Sequence, residues 1–177
     1  MNYHKIEKTS VANGPGVRTT LWVAGCRVGC KNCHNPQTWD FNSGKLFDDN
    51  AKQELFESLS KSYIQGLSLS GGHPLEPENV KTIYLLVKEI KDKFPTKDIW
   101  LYTGYTWEYI FPNVITDDFN TERMYRQEIV RMCDVVVDGP FIESQKDLTL
   151  RWRGSANQRV IDCEQTIKNG EIVLYTE

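Results

Sequence analysis

Thr19-Thr-Leu-Trp-Val-Ala-Gly-Cys-Arg-Val-Gly-Cys-Lys-Asn-Cys33 is the stretch from which the rest of the chain can be read. Its first six residues, Thr19 to Ala24, are β-branched, aromatic or small, the composition of a short buried strand. Gly25 ends that run, and Cys26, Cys30 and Cys33 follow in the spacing C-x3-C-x2-C. A strand that runs straight into such a loop delivers the thiols at its C-terminal end. Ordinary iron–sulfur carriers and structural zinc sites take four protein ligands, which leaves the metal closed. Three thiolates could instead hold three corners of a cubane cluster and leave one iron free to bind and activate a small molecule. Two other readings stay open here. One is a closed cluster with a distant fourth thiolate; the other is structural zinc completed by His34, Cys133 or Cys163. His34 directly follows Cys33, so aiming both side chains at one metal would strain the backbone.

Outward from the loop, β-rich runs alternate with helical patterns. Leu55, Leu59 and Tyr63 recur every four residues and predict a helix from Asn50 to about Tyr63, with Asn50 and Gln53 as its capping box. Gly66-Leu-Ser-Leu-Ser70 alternates and ends at Gly71-Gly72, a second strand running into a glycine turn. Pro77 suits a first helical position, and Val80, Ile83, Tyr84, Val87, Ile90 and Phe94 then share one face before Pro95 stops the helix. Asp98-Ile-Trp-Leu-Tyr102 is a third strand that ends at Thr103-Gly104. A helix from about Glu122 to Met132 precedes the fourth strand, Asp134-Val-Val-Val-Asp138, and Gly139-Pro140. Four strands separated by helices imply βαβ units and a mainly parallel sheet. Ligands of such sheets collect outside the carboxyl ends of the strands. Those ends carry the cysteine loop, Gly71-Gly72-His73, Thr103-Gly104 and Asp138-Gly139, so the unusual residues converge on one edge.

The bulk properties narrow the function classes. At 177 residues the chain has room for one well-buried domain, expected to span 1–177, and a 40% hydrophobic, 25% charged composition is that of a soluble globular protein. A net charge of −3 without a basic run predicts no direct nucleic-acid partner. No signal-peptide h-region and no bilayer-length apolar stretch is visible, so no membrane association and a cytoplasmic location are expected. Five cysteines, three of them clustered, argue for metal binding in a reducing compartment over a disulfide framework. Cys133 and Cys163 read as small buried hydrophobes.

The C-x3-C-x2-C loop after the first strand resembles the signature of radical S-adenosylmethionine enzymes. Its flanking text is more specific: Asn13-Gly-Pro-Gly16 with Arg18, Cys33-His-Asn35 with Thr38-Trp39, and Ser70-Gly-Gly-His-Pro-Leu75. Lys97-Asp-Ile-Trp100 with Thr103-Gly-Tyr105, Asp138-Gly139, and Trp152-Arg-Gly-Ser155 with Asn157-Gln158 continue it in collinear order. Together they resemble the activating proteins of anaerobic (class III) ribonucleoside-triphosphate reductases. That resemblance implies an α/β fold, an incomplete radical-SAM-type (β/α) barrel of mainly parallel strands in a single domain. It implies a [4Fe–4S] cluster on Cys26, Cys30 and Cys33, with S-adenosyl-L-methionine on the fourth iron. Reductive cleavage of that cofactor would give a 5′-deoxyadenosyl radical, which takes a hydrogen atom from a glycine of the reductase. The implied partners are the large reductase subunit and an electron donor such as a flavodoxin. Asn32, Cys33 and His34 match the stretch lying along the adenine. Gly71 and Gly72 match the pair that approaches the methionyl amino group. His73 stands where related chains usually carry an acid. Either the carbonyls of its turn contact the amino group, with or without the imidazole, or the side chain only packs or meets solvent. Two alternatives remain at this stage: an activase of another glycyl-radical enzyme, and a zinc-binding docking module.

Overall fold

The computed structural model describes residues 1–113 and 120–177. Strand β1 (Asn2–Ser10) lies antiparallel beside β2 (Arg18–Val23), and the two-residue β3 (Lys45–Leu46) pairs with β1 at one edge. Helix α1 (Asp49–Leu59) leads to β4 (Gly66–Gly71), α2 (Pro77–Lys93) to β5 (Asp98–Tyr102), and short α3 (Trp107–Ile110) and α4 (Thr121–Met132) to β6 (Val135–Asp138). After β6 the chain turns back to place β7 (Arg159–Asp162) antiparallel on it, and ends in α5 (Cys163–Asn169). The sheet has seven strands in the order β3-β1-β2-β4-β5-β6-β7. Its central four, β2, β4, β5 and β6, are parallel, and they are the four expected from sequence. The flanking strands are antiparallel additions. The sheet is open, because its terminal strands β3 and β7 do not pair with each other.

Alternation along the parallel strands separates two faces. Leu21, Val23, Leu67, Leu69, Ile99, Leu101 and Val136 point one way, all fully buried against Leu55 and Leu59 of α1, the α2 stripe and Ile129 and Val130 of α4. That side is an ordinary hydrophobic core, and Cys133 and Cys163 lie in it. The other face carries Thr20 and Trp22, Ser68 and Ser70, Trp100 and Tyr102, then Val135 and Val137. Its β5–β6 part is covered by Trp152, Val160 and Tyr175. Thr20 and Ser68 are buried beneath Asn13 and Arg18, and the C-terminal ends of β2 and β4, at Trp22 and Ser70, line a cavity.

The expected helices differ at their ends. The cap of α1 is Asp48, which accepts from the Ala51 amide at 2.9 Å, so the Asn50–Gln53 capping box is not formed. Tyr63 lies beyond the helix and is exposed. The first correction has a local cause: the aspartate two positions earlier satisfies the free amides first. Among the described residues no helix is long and apolar enough to cross a membrane.

Candidate functional site

The cysteine loop leaves β2 through Gly25, whose φ of +93° is a left-handed conformation that glycine adopts without strain. A Cβ there would also run into the Phe41 ring. The loop is then pinned by main-chain bonds: the Gly25 amide donates to Thr38 O at 2.8 Å and the Cys26 amide to Trp39 O at 3.1 Å. From the neighbouring strand, the His73 amide donates to Gly25 O at 2.7 Å. The turn after β4 therefore lies directly against the loop. A Cβ on Gly72 would come within 2.6 Å of Gly25 O, and one on Gly71 within 2.8 Å of Val23 N. Both glycines are required by backbone-to-backbone approach between the first two parallel strand ends.

Cys26, Cys30 and Cys33 are all half-buried and unbridged. Burial pushes the Cys26 and Cys30 thiols up from their ordinary range; amide N–H groups of Val28 and Gly29 at Cys26, and of Phe141 at Cys30, act against it. A metal bound here would favour the thiolate form of these sulfurs. Among the described residues, no three His, Cys, Asp or Glu side chains form a group that could hold a metal ion. Cys133 and Cys163 offer no fourth ligand. They sit in the core on the helical side of the sheet, and burial raises both thiols strongly. The His34 ring packs against Phe141 at 5.8 Å. The donor set is thus three thiols on one loop, which suits a cluster with one open iron.

Beside the loop lies a cavity of about 630 Å³. Cys33, His34 and Asn35 form one wall, and Trp22, Ser70 and Tyr102 belong to the sheet-side lining. Phe141, Trp152, Arg153, Gly154 and Gln158 also line it. Asn32 takes a left-handed φ of +55° and is exposed, its carboxamide nitrogen donating to Glu143, and it does not line the cavity. The segment from Trp152 to Gln158 closes the inner face. Trp152 packs on Trp100 at 5.1 Å, and the Gln158 carboxamide takes the amides of Gly154 and Ser155 at 2.9 and 3.2 Å. Asp138, fully enclosed, accepts from the Trp107 amide at 2.8 Å and from Arg159, a turn-capping and bracing role.

His73 is 1% exposed, and its side chain points inward. Thr103 Oγ1 accepts from the Tyr105 amide at 3.1 Å, so its hydroxyl proton is free to donate to His73 Nε2 at 2.7 Å. That network assigns the proton to His73 Nδ1, which donates to Glu76 at 3.3 Å. Burial lowers the imidazole's affinity for a second proton. The His73 side chain packs; it stacks edge-on to Tyr105 at 4.2 Å.

The residue missed from sequence is Glu76. It is 1% exposed and accepts from the Arg27 amide at 2.8 Å and the Arg27 guanidinium at 3.0 Å. Burial alone would raise its carboxyl; the bonds from His73 and Arg27 outweigh that and hold it at about 2. A signal was present. Glutamate is a poor N-cap residue, yet Pro77 at the first helical position puts Glu76 at the cap of α2.

The family described as "4Fe-4S single cluster domain" matches residues 12–161 of the chain. The chain is 42% identical over 160 residues to the anaerobic ribonucleoside-triphosphate reductase-activating protein of Haemophilus influenzae, covering 89% of this chain and 96% of that protein. It is 42% identical to the protein of the same name from Escherichia coli K12, covering 90% and 97%. With that of enterobacteria phage T4 it shares 43%, covering 90% and 93%.

Proposed function

The chain belongs to the family of anaerobic ribonucleoside-triphosphate reductase-activating proteins, and we propose that it is an enzyme that installs a glycyl radical in such a reductase by radical S-adenosylmethionine chemistry. In this reading Cys26, Cys30 and Cys33 hold three irons of a [4Fe–4S] cluster. When bound, the cluster and S-adenosylmethionine supply one-electron cleavage of the cofactor's sulfonium bond and removal of a hydrogen atom from a glycine of the reductase. The backbone of Asn32, Cys33 and His34 lies along the adenine, and the Gly71-Gly72-His73 turn takes the methionyl amino group through carbonyls other than that of His73, which already accepts from the Glu76 amide and from Asn79. Gly71 and Gly72 contribute by bringing that turn onto the loop, and His73 by its main chain. The chain works as one domain of 1–177, its open sheet an incomplete barrel, in the cytoplasm with an electron donor such as a flavodoxin.

The observation that carries the reading is the three-thiol loop locked onto the Gly71-Gly72 turn at the edge of a cavity open to one sheet face. A reactive alkyl fragment must be kept from water and held close to its target. Trp22, Phe141 and Trp152 give that cavity apolar walls. The test is anaerobic reconstitution, then incubation of reduced protein with S-adenosylmethionine and the reductase. About four irons and four sulfides per chain, and a glycyl doublet in the partner's resonance spectrum, are expected. Cys26→Ala, Cys30→Ala and Cys33→Ala should each lose the cluster, and Cys133→Ala should keep it. Stoichiometric zinc in freshly purified protein, or full activity in Cys30→Ala, would overturn the reading.

A further inference from the structure

Among the described residues, the five α-helices treat their N-cap residue in two ways. Asp48, Thr106, Asn120 and Asp162 each turn the side chain onto their own helix and accept from its free amides. Glu76, at the same position of α2, makes no such bond. It reaches backwards to residue 27, beside Cys26, and takes both the amide and the guanidinium. Asn79, one turn on and 1% exposed, does the same with its carboxamide, donating to Ala24 O at 2.9 Å and His73 O at 3.1 Å. The start of α2 therefore gives up local capping to hold the junction of β2 and the cysteine loop. A carboxylate enclosed this fully is costly unless it is paired and hydrogen-bonded. Arg27 is its counter-ion but is shared with Glu78, through a contact at 2.8 Å and a second, shorter one. Two carboxylates on one guanidinium leave an excess negative charge against the loop. Arg126 also faces this corner, donating to Leu75 O at 2.9 Å, with Glu122 as its own partner.

We propose that Glu76 is the positioning residue of the cysteine loop and that its enclosed negative charge holds the reduction potential of the cluster low. This rests on the reading that Cys26, Cys30 and Cys33 carry a cluster. Charge and hydrogen bonding near the sulfurs are among the properties that set such potentials, and a low dielectric strengthens both. A purely structural clamp would change retention of the cluster alone. A charge beside it also moves the potential, with a sign given by the charge removed.

The test uses the reconstituted full-length protein, with iron retention and a redox titration followed by electron paramagnetic resonance. Glu76→Gln keeps the shape and one acceptor oxygen; it should lose iron about tenfold faster and shift the potential upward. Arg27→Gln removes the opposite charge and should shift the potential downward. Glu76→Asp should restore the wild-type direction of the potential. Shifts of the same sign in Glu76→Gln and Arg27→Gln, or none, would overturn the inference while leaving the cluster assignment intact. A wild-type chain that takes up no iron would overturn both. If Glu76→Gln fails to fold, the downward shift in Arg27→Gln still decides.

Discussion

Two arginine–carboxylate pairs hold opposite ends of the parallel sheet, and their burial is reversed. At the N-terminal ends, Arg18 is fully enclosed while its partner Asp98 is 25% exposed. At the C-terminal ends, Glu76 is 1% exposed and its partner Arg27 is 56% exposed. The buried member shows what each pair serves. Five guanidinium donors in a fixed fork can join several strands at once. Arg18 does so, reaching Ser68 Oγ at 2.8 Å, Leu67 O at 2.9 Å, Pro15 O at 3.3 Å and Asp98. A carboxylate only accepts, so Glu76 gathers donors from a loop and a turn that lack regular pairing. The lower pair builds the sheet; the upper one holds what the sheet carries.

Arg18→Leu should have the largest effect on stability. It strands several buried acceptors and should cost roughly 3–5 kcal/mol in urea unfolding. A loss under about 1 kcal/mol would mean that the lower pair is dispensable and would break the contrast. Gly72→Val comes next, because its Cβ would meet Gly25 O at 2.6 Å. Overpacking there should cost about 1–3 kcal/mol and lower iron uptake at the same time, since the displaced atoms belong to the loop. Normal iron uptake in that variant would show that loop and turn are not coupled.

Acid should act on the upper pair in one direction. Glu76 titrates at about 2 when folded against an ordinary 4.5, so its contribution is complete above pH 4.5 and is lost as pH falls toward 2. His73 is also held below its ordinary 6.5, so below that pH the unfolded chain binds a proton that the folded one resists. The histidine effect makes the melting temperature of the apoprotein drop as pH falls from 7 to 4, and the loss of Glu76 steepens the drop below about 4.5. A rise over that range would contradict the assignment of a neutral imidazole. The smallest effect belongs to Glu78→Gln. Glu78 is 46% exposed, and the loss should stay below about 1 kcal/mol and shrink further in salt.

These features were unequally legible in the sequence. The cysteine loop, the four parallel strands and their shared edge could be read because apolar alternation and strand-end glycines are local signals. Strand β1, Asn-Tyr-His-Lys-Ile-Glu-Lys-Thr-Ser, could not. It pairs at the sheet's antiparallel side and buries only Tyr3 and Ser10, so its pattern looks like a polar surface segment. Asp48 displaced the expected cap because two adjacent acceptors compete for the same amides, which spacing alone does not resolve. The inward turn of His73 and the reach of Glu76 depend on partners at positions 103 and 27. No local pattern reports such contacts. The residue type was the only trace, a glutamate where a short polar side chain would cap better.

The loop that carries the cysteines is anchored by groups other than the thiols: Gly25 and Cys26 through their amides, Arg27 through Glu76, and the following turn through Gly72. Small metal domains that fold only when loaded lose their shape along with the ion. Anchoring of this kind should let the mould outlast its contents. Oxygen that destroys a cluster on this loop should leave a folded, empty receptacle, and damage becomes a matter of refilling rather than of resynthesis.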